Sequence, residues 1–136
     1  MIDLPSKFES AALAAILAGA HPVLQLLRGQ LSGLRVTKRE ETAAGFFADL
    51  GVDPGAMTST TLFPSRLAIG DVEATIAGLR TGAGIVVFVD DGRLTLLEGF
   101  TYDEPWPGVP DSYSFRYRDP SRAELYQQLD QIVTRA

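Results

Sequence analysis

The side chains best suited to chemistry or binding lie in one short stretch of the chain. The stretch begins with Glu98, a carboxylate that follows an apolar run, and continues into an acidic, aromatic loop that prolines stiffen. Carboxylates can transfer protons, and rigid aromatic side chains bind partners with a small loss of conformational entropy. The candidate binding residues are Tyr102, Asp103, Glu104 and the only tryptophan, Trp106.

The position of Glu98 follows from a predicted hairpin. Asp91-Gly92 between two β-rich runs is typical of a type I′ turn, so residues 84–101 are predicted to form two paired strands. A two-residue loop then places Ile85 opposite Glu98. In this register, the Glu98 side chain shares a face with the apolar residues Leu94, Leu96 and Phe100.

A carboxylate on an apolar face needs a compensating partner, because burying an unpaired charge is costly. Two interpretations of Glu98 therefore stay open. The first, which we favour, places the residue where the strand leaves the core. The second makes it a functional carboxylate with a shifted pKa.

Trp106 also has two interpretations. The loop from Gly99 to Asp111 contains three prolines and offers a large aromatic area beside acidic charge, as binding loops do. A single tryptophan more often folds back to cover the core or a sheet edge. We favour this covering role for the ring and keep the loop as the candidate binding site.

No other segment matches a catalytic pattern. The sole histidine, His21, lies at a helix start, where a cap or a surface position is favoured over a base. Gly82-Ala83-Gly84 enters a strand instead of opening a helix, so it lacks the context of a dinucleotide-binding loop. The chain has no cysteine, and its adjacent acid pairs are typical of solvated turns. We predict no metal site and no cofactor.

Composition restricts the classes of partner. The chain has 136 residues and a net charge of -5, which indicates one domain (1–136) and disfavours nucleic acid. Aromatic residues alternate with arginines from Tyr113 to Arg118, which predicts a half-buried strand rather than a base-stacking surface. The apolar stretch from Ala11 to Ala20 is too short to span a bilayer, and the residues before it are acidic on balance, unlike a secretory leader. We therefore expect a cytoplasmic protein that does not bind membranes.

The order of the predicted elements gives the fold class. Ser6-Lys7-Phe8-Glu9 is a capping box that starts one helix, a second helix begins near Pro22, and Ser121 and Glu124 form a second capping box before a last helix. Between them, residues of period two predict about six strands, with a bulge or turn at Gly70-Asp71 and a loop over residues 53–65. The sequence therefore predicts an α+β fold, a mainly antiparallel twisted sheet with these helices packed on it.

Part of the chain resembles a group of small uncharacterised bacterial proteins. The resemblance spans roughly residues 20 to 107, and no activity is attached to the group. It implies a bacterial, cytoplasmic domain and carries over no catalytic residue. The segments that carry it are Gly45-Phe46-Phe47, Asp71-Val72-Glu73, Gly82-x-Gly84, Val86-Val87-Phe88-Val89, Asp91-Gly92, Leu97-Glu98-Gly99-Phe100-Thr101-Tyr102-Asp103-Glu104 and Trp106-Pro107.

Two functions stay open. We favour a non-catalytic interaction module, of an accessory or immunity type, that binds a protein partner with a basic surface. The alternative is a small hydrolase or isomerase that uses Glu98 as acid or base, assisted by Asp103, Tyr102 or His21. A homo-oligomer built through a sheet edge is compatible with both.

Overall fold

A computed structural model describes residues 3–53 and 63–135 of the chain. Most of the loop predicted over residues 53–65 lies outside this described part. In chain order the elements are α1 (Lys7–Ile16), α2 (Pro22–Arg28), β1 (Arg35–Thr42), β2 (Gly45–Gly51), β3 (Arg66–Ile76), β4 (Ala83–Asp90), β5 (Arg93–Thr101), β6 (Tyr113–Tyr117) and α3 (Ala123–Arg135).

The strands form one six-stranded sheet in the order β1-β2-β5-β4-β3-β6, and every neighbouring pair is antiparallel. Apolar residues on one face of the sheet join residues of all three helices in a single core. Val87 and Leu97, for example, are fully buried at the centre of that face, and Leu13 and Leu129 cover it from α1 and α3. The predicted α+β architecture is therefore confirmed.

The first helix and the central hairpin begin and turn at the residues that the sequence predicted. Ser6 accepts a hydrogen bond from the Glu9 amide at 3.1 Å, and Glu9 accepts one from the Ser6 amide at 2.7 Å, so the capping box forms. Asp91 and Gly92 both have positive φ, 50° and 84°, as a type I′ turn requires. The sheet register also shifts between Ile69 and Val72, so of the bulge or turn predicted at Gly70-Asp71 the structure has a bulge within β3.

The register predicted for Glu98 is wrong because of a second bulge. Leu94 pairs with Val89 as predicted, but the register then shifts, and Glu98 pairs with Val86 instead of Ile85. Thr95 is the extra residue, and its hydroxyl donates to the Phe88 carbonyl and to the Asp90 carboxylate. The shift turns Leu97 into the core and Glu98 onto the face that carries no described helix.

The last helix starts differently from the prediction. It begins at Ala123, whose amide donates to Ser121 at 3.3 Å and to Asp119 at 3.3 Å, so Ser121 does not cap the amide of Glu124. Arg122, just before the helix, has a φ of 54°, which is uncommon for a residue with a side chain. A set of tertiary contacts holds Arg122 in this conformation.

Arg122 is a buried cation that connects three elements. Its guanidinium donates to the Asp71 carboxylate at 2.7 and 2.8 Å and to the carbonyls of Ile16 and Ala18, both at 2.8 Å. It also lies 4.2 Å from the ring centre of Tyr117. Burial lowers the pKa of Arg122, but the hydrogen bonds and the charge of Asp71 outweigh it and raise the pKa above the usual range.

We expect Arg122→Met to lower the free energy of unfolding by about 3 to 5 kcal/mol, since it leaves Asp71 and the carbonyls of Ile16 and Ala18 without their donor. Urea unfolding followed by circular dichroism measures the change. Arg28→Met is a matched control, because Arg28 donates to the Leu17 and Gly19 carbonyls and, within residues 3–53 and 63–135, to no carboxylate. That control should lose only about 1 kcal/mol. Equal losses in the two variants would contradict the role assigned to Arg122.

Candidate functional site

The four loop residues predicted to bind a partner do not form one surface. Tyr102 turns to the helix-free face of the sheet, where its hydroxyl donates to Glu73 at 2.8 Å. Glu104 accepts hydrogen bonds from the backbone amides of Arg80 at 2.7 Å and Thr81 at 3.2 Å, so it holds a turn together. Asp103 is exposed, and Trp106 folds back towards α1 on the opposite side of the sheet.

The Tyr102 side of the loop is an exposed polar cluster. Glu73 accepts from Tyr102, from Arg116 at 2.9 Å and from Arg118 at 3.3 Å. The hydrogen bond from Tyr102 and those from the two arginines lower the pKa of Glu73 below 4.5 against a weaker opposing effect of burial. Each charged group here already has a partner, so the cluster is consistent with a structural role.

Trp106 covers the end of the core, as we predicted for the ring. Its centroid lies 5.9 Å from that of Phe8 and 5.1 Å from that of Phe46, and its indole N–H donates to the Gly108 carbonyl at 2.9 Å. Gly99 lies beneath the two rings, where a Cβ would overlap Phe46. The absence of a side chain at Gly99 therefore lets Phe46 and Trp106 lie close to the sheet.

Trp106 is only half-buried, and the part it leaves open lines a cleft of about 340 Å³. The floor of this cleft, which we call the Trp106 cleft, consists of Phe8 from α1, Phe46 from β2 and Trp106. One wall is the loop segment Gly108, Val109 and Pro110, and the opposite rim is Arg39, Glu40 and Glu41 of the edge strand β1.

The rim of the Trp106 cleft has an excess of negative charge. Arg39 is shared by two carboxylates, since it donates to Glu9 at 2.9 Å through two nitrogens and to Asp3 at 2.9 Å. Glu40 and Glu41 are exposed, and neither forms an ion pair within residues 3–53 and 63–135. Alternation in β1 turns Glu41 towards the cleft and Glu40, the cross-strand partner of Phe47, towards the helix-free face. A cation that enters the cleft would therefore meet the Glu41 carboxylate beside an aromatic floor.

Glu9 is an ionised carboxylate at the base of the same rim. Its burial raises its pKa, but the hydrogen bonds and charge of Arg39 and the hydrogen bonds of Ser6 together outweigh burial, so the pKa lies below 4.5. Glu9 therefore stays charged at neutral pH and fixes Arg39, which closes one end of the cleft.

Glu98 is not surrounded by catalytic groups. It lies half-buried on the helix-free face, between its cross-strand neighbours Phe47 and Val86. None of the proposed assistants Tyr102, Asp103 and His21 forms a hydrogen bond with it in the described part of the chain.

His21 has the capping role that was favoured for it. Its Nδ1 accepts from the Val23 amide at 3.1 Å, so the ring proton is on Nε2, which donates to Asp130 of α3 at 2.8 Å. This hydrogen bond joins the start of α2 to α3. Neither helix includes Glu98, which lies in β5.

Several residues of the Trp106 cleft could not be assigned to a site from sequence. Phe8 and Phe46 follow core periodicities, and Glu40-Glu41 has the pattern of a solvated pair. One sequence pattern could have placed part of the rim of the cleft. Side chains alternate between the two faces along β1, which puts Arg39 and Glu41 on the same face as their cross-strand partners Ala48 and Phe46.

The chain matches no protein-family model, and comparisons with curated proteins and with solved structures found no similar protein. Within residues 3–53 and 63–135, no helix is long and apolar enough to cross a membrane. The same residues contain no cluster of three or more histidine, aspartate or glutamate side chains that could hold a metal ion.

The lowered pKa of Glu9 predicts a pH dependence of stability. A carboxylate whose folded-state pKa is depressed stabilises the fold above its unfolded pKa and loses that contribution as pH falls through the folded value. We expect the free energy of unfolding to decrease as the pH is lowered below about 4.5. In Glu9→Gln this decrease should be less steep, and the variant should be less stable than the wild type near neutral pH.

Urea unfolding, followed by circular dichroism at a series of pH values, measures how steeply the free energy of unfolding depends on pH in the wild type and in the variant. Glu40→Gln is the matched control, because Glu40 is an exposed carboxylate of the same rim without an ion pair among the described residues. Its slope should equal that of the wild type. A Glu9→Gln slope as steep as the wild-type slope would contradict the assignment.

Proposed function

We propose that this chain is a non-catalytic protein-interaction module, and that the Trp106 cleft binds an apolar side chain flanked by basic residues of its partner. The observation that carries the proposal is the aromatic floor of Phe8, Phe46 and Trp106 beside Glu41, a carboxylate that forms no ion pair within residues 3–53 and 63–135. An accessory or immunity-type role in a bacterial cytoplasm is the setting that we propose for it.

The apolar part of the cleft supplies the binding energy in this proposal. Buried aromatic anchors surrounded by a polar rim are typical of interface hot spots. Val109, which forms part of the wall, is 85% exposed, so an apolar side chain in the cleft would cover it as well as the floor. Burial of apolar surface against the aromatic floor on one side and against Val109 on the other would then stabilise the complex.

The charges supply the selectivity for a basic partner. The chain has a net charge of -5, which attracts cationic surfaces over long range, and Glu41 acts at short range. An acidic partner segment would meet this carboxylate and be disfavoured.

The segment from Thr101 to Trp106, which leads into the wall, is held in place before binding, and the Trp106 indole N–H donates to the Gly108 carbonyl at the start of the wall. The Trp106 amide donates to the Ala43 carbonyl at 2.9 Å, the Thr101 amide donates to the Ala44 carbonyl at 2.8 Å, and Glu104 holds the neighbouring turn. Little conformational entropy is therefore lost when a partner docks, which favours affinity.

Catalysis through Glu98 has less support. A general acid or base needs a substrate position and assisting groups, and the described residues around Glu98 are apolar strand neighbours, Phe47 and Val86. The interaction module is therefore the function that we put forward.

A random peptide library displayed on phage tests the proposed function. Peptides selected on the wild type should share an aromatic or aliphatic residue next to Lys or Arg. Glu41→Lys reverses one charge of the rim, so it should weaken binding of a selected peptide about tenfold or more. Isothermal titration calorimetry of that peptide with each variant measures the effect.

Glu124→Lys is the matched control, because it makes the same change in net charge at an exposed position on α3. It should change the affinity by less than about twofold. Selected peptides without basic residues, or equal effects of the two substitutions, would contradict a binding site at the Trp106 cleft.

A further inference from the structure

The strand β1 has an open outer edge beside the Trp106 cleft. Every residue from Thr37 to Thr42 is exposed, and β1 is the first strand of the sheet, with β2 as its neighbour on the inner side. On the outer side, Val36 exchanges two hydrogen bonds with Asp3, at 2.7 and 2.9 Å, in an antiparallel bridge. The bridge shows that this edge can pair with an antiparallel segment, and within residues 3–53 and 63–135 no other segment pairs with it.

The adjoining turn determines which backbone groups of β1 face outward. Ala44 accepts a hydrogen bond from the Thr101 amide at 2.8 Å, so its backbone groups face β5, and those of the next residue face β1. Alternation along the paired strands then turns the backbone groups of Glu40 towards β2 and those of Arg39 and Glu41 outward. No described residue hydrogen-bonds to the outward N–H and C=O groups of Arg39 and Glu41.

A strand added to this edge would direct alternate side chains to the Trp106 cleft. In an antiparallel pair, the residue that exchanges both hydrogen bonds with Glu41 has its side chain on the same face as Glu41, which is the face of the cleft. Two strand spacings, about 10 Å, separate that residue from Phe46 on the floor of the cleft. Two large side chains on one face span this distance between them.

The residues on either side of this one would point to the helix-free face, beside Glu40. Glu40 is exposed and forms no ion pair among the described residues. Its charged neighbours on that face of β1 and β2 are one cation, Lys38, and one further carboxylate, Asp49, while Arg35 lies at the other end of β1, beyond the register shift. The face is therefore acidic on balance around Glu40, which favours basic residues next to the apolar one.

A second copy of the chain is disfavoured on this edge. In a two-fold antiparallel pairing, outward-facing residues must pair with outward-facing residues, so the axis passes through a residue. Along the free part of the edge that residue is Arg39, Glu40 or Glu41, and two like charges then lie opposite each other. The axis through Glu40 would also pair Arg39 with Glu41, but Arg39 already donates to Glu9 and Asp3.

We propose that the partner segment binds as a short antiparallel strand on the outer edge of β1, with its apolar side chain in the Trp106 cleft and its flanking basic side chains beside Glu40. This inference rests on the proposed function and adds the conformation of the bound segment. Backbone hydrogen bonds to Arg39 and Glu41 contribute affinity, and the alternation of apolar and basic side chains gives selectivity. The bridge at Val36 limits the added strand to about five residues.

N-methylation of a peptide backbone tests the pairing and leaves the side chains unchanged. The probe is a capped peptide in which Lys and Leu alternate, titrated into the full chain by isothermal titration calorimetry. N-methyl groups on the Leu residues remove the N–H groups that face β1, so they should weaken binding about tenfold or more. The same number of N-methyl groups on Lys residues point away from β1 and should change the affinity less than about threefold.

Equal effects of the two methylations, or a larger loss from methylated Lys, would overturn the added strand. If Glu41→Lys still weakens the unmethylated peptide in that case, the proposed function stands without the strand. If the unmethylated peptide does not bind at all, the proposed function and this inference both fail.

Glu40→Lys provides a second readout, because Glu40 points away from the floor of the cleft. It should weaken the unmethylated peptide about fivefold or more. Glu124→Lys makes the same change in net charge on α3 and should change the affinity by less than about twofold. Equal effects of these two substitutions would contradict the added strand. A wild type that sedimentation velocity shows to be a dimer, dissociated by the peptide, would place a second copy on the edge and would also overturn the proposal.

Discussion

The position of α1 on the sheet depends on the buried cation Arg122. The last residues of a helix leave carbonyls without donors. Arg122 donates to the carbonyl of Ile16, the last residue of α1, and to that of Ala18 just beyond it, while Asp71 neutralises its charge. Asp71 lies in the bulge of β3, so the end of α1, the middle of the sheet and the start of α3 meet at one side chain. Fixing one end of α1 also fixes where its first turn lies, and that turn contributes Phe8 and Glu9 to the Trp106 cleft.

The bulges in β3 and β5, two of the three register shifts in the described sheet, decide which side chains of these strands reach which face. A shift of one residue in a strand exchanges all following side chains between the core and the opposite face. In β5 the extra residue, Thr95, keeps Leu94 and Leu97 in the core and leaves Glu98 outside it. The loop after β5 then sends Tyr102 to one side of the sheet and Trp106 to the other. The acidic, aromatic segment thus serves two surfaces instead of one.

Features encoded by neighbouring residues could be predicted from the sequence, and features that depend on distant contacts could not. The capping box at Ser6, the Asp91-Gly92 turn, the His21 cap and the six strands all follow from local patterns. The bulge at Thr95 has no comparable signal, because it is stabilised by bonds to another strand. The positive φ of Arg122 depends on groups more than 50 positions away in the chain, and the cleft joins α1 and β1 to a loop about 100 positions later.

The only tryptophan provides the most direct test of the central claim, that the Trp106 cleft binds an apolar side chain beside basic residues. Trp106 emission can be titrated with a tryptophan-free peptide of lysine and leucine, with binding followed in parallel by calorimetry. The account predicts a saturable change in emission with the same dissociation constant as the calorimetric one, weakened by salt. No binding, or calorimetric binding that leaves the emission unchanged, would contradict it.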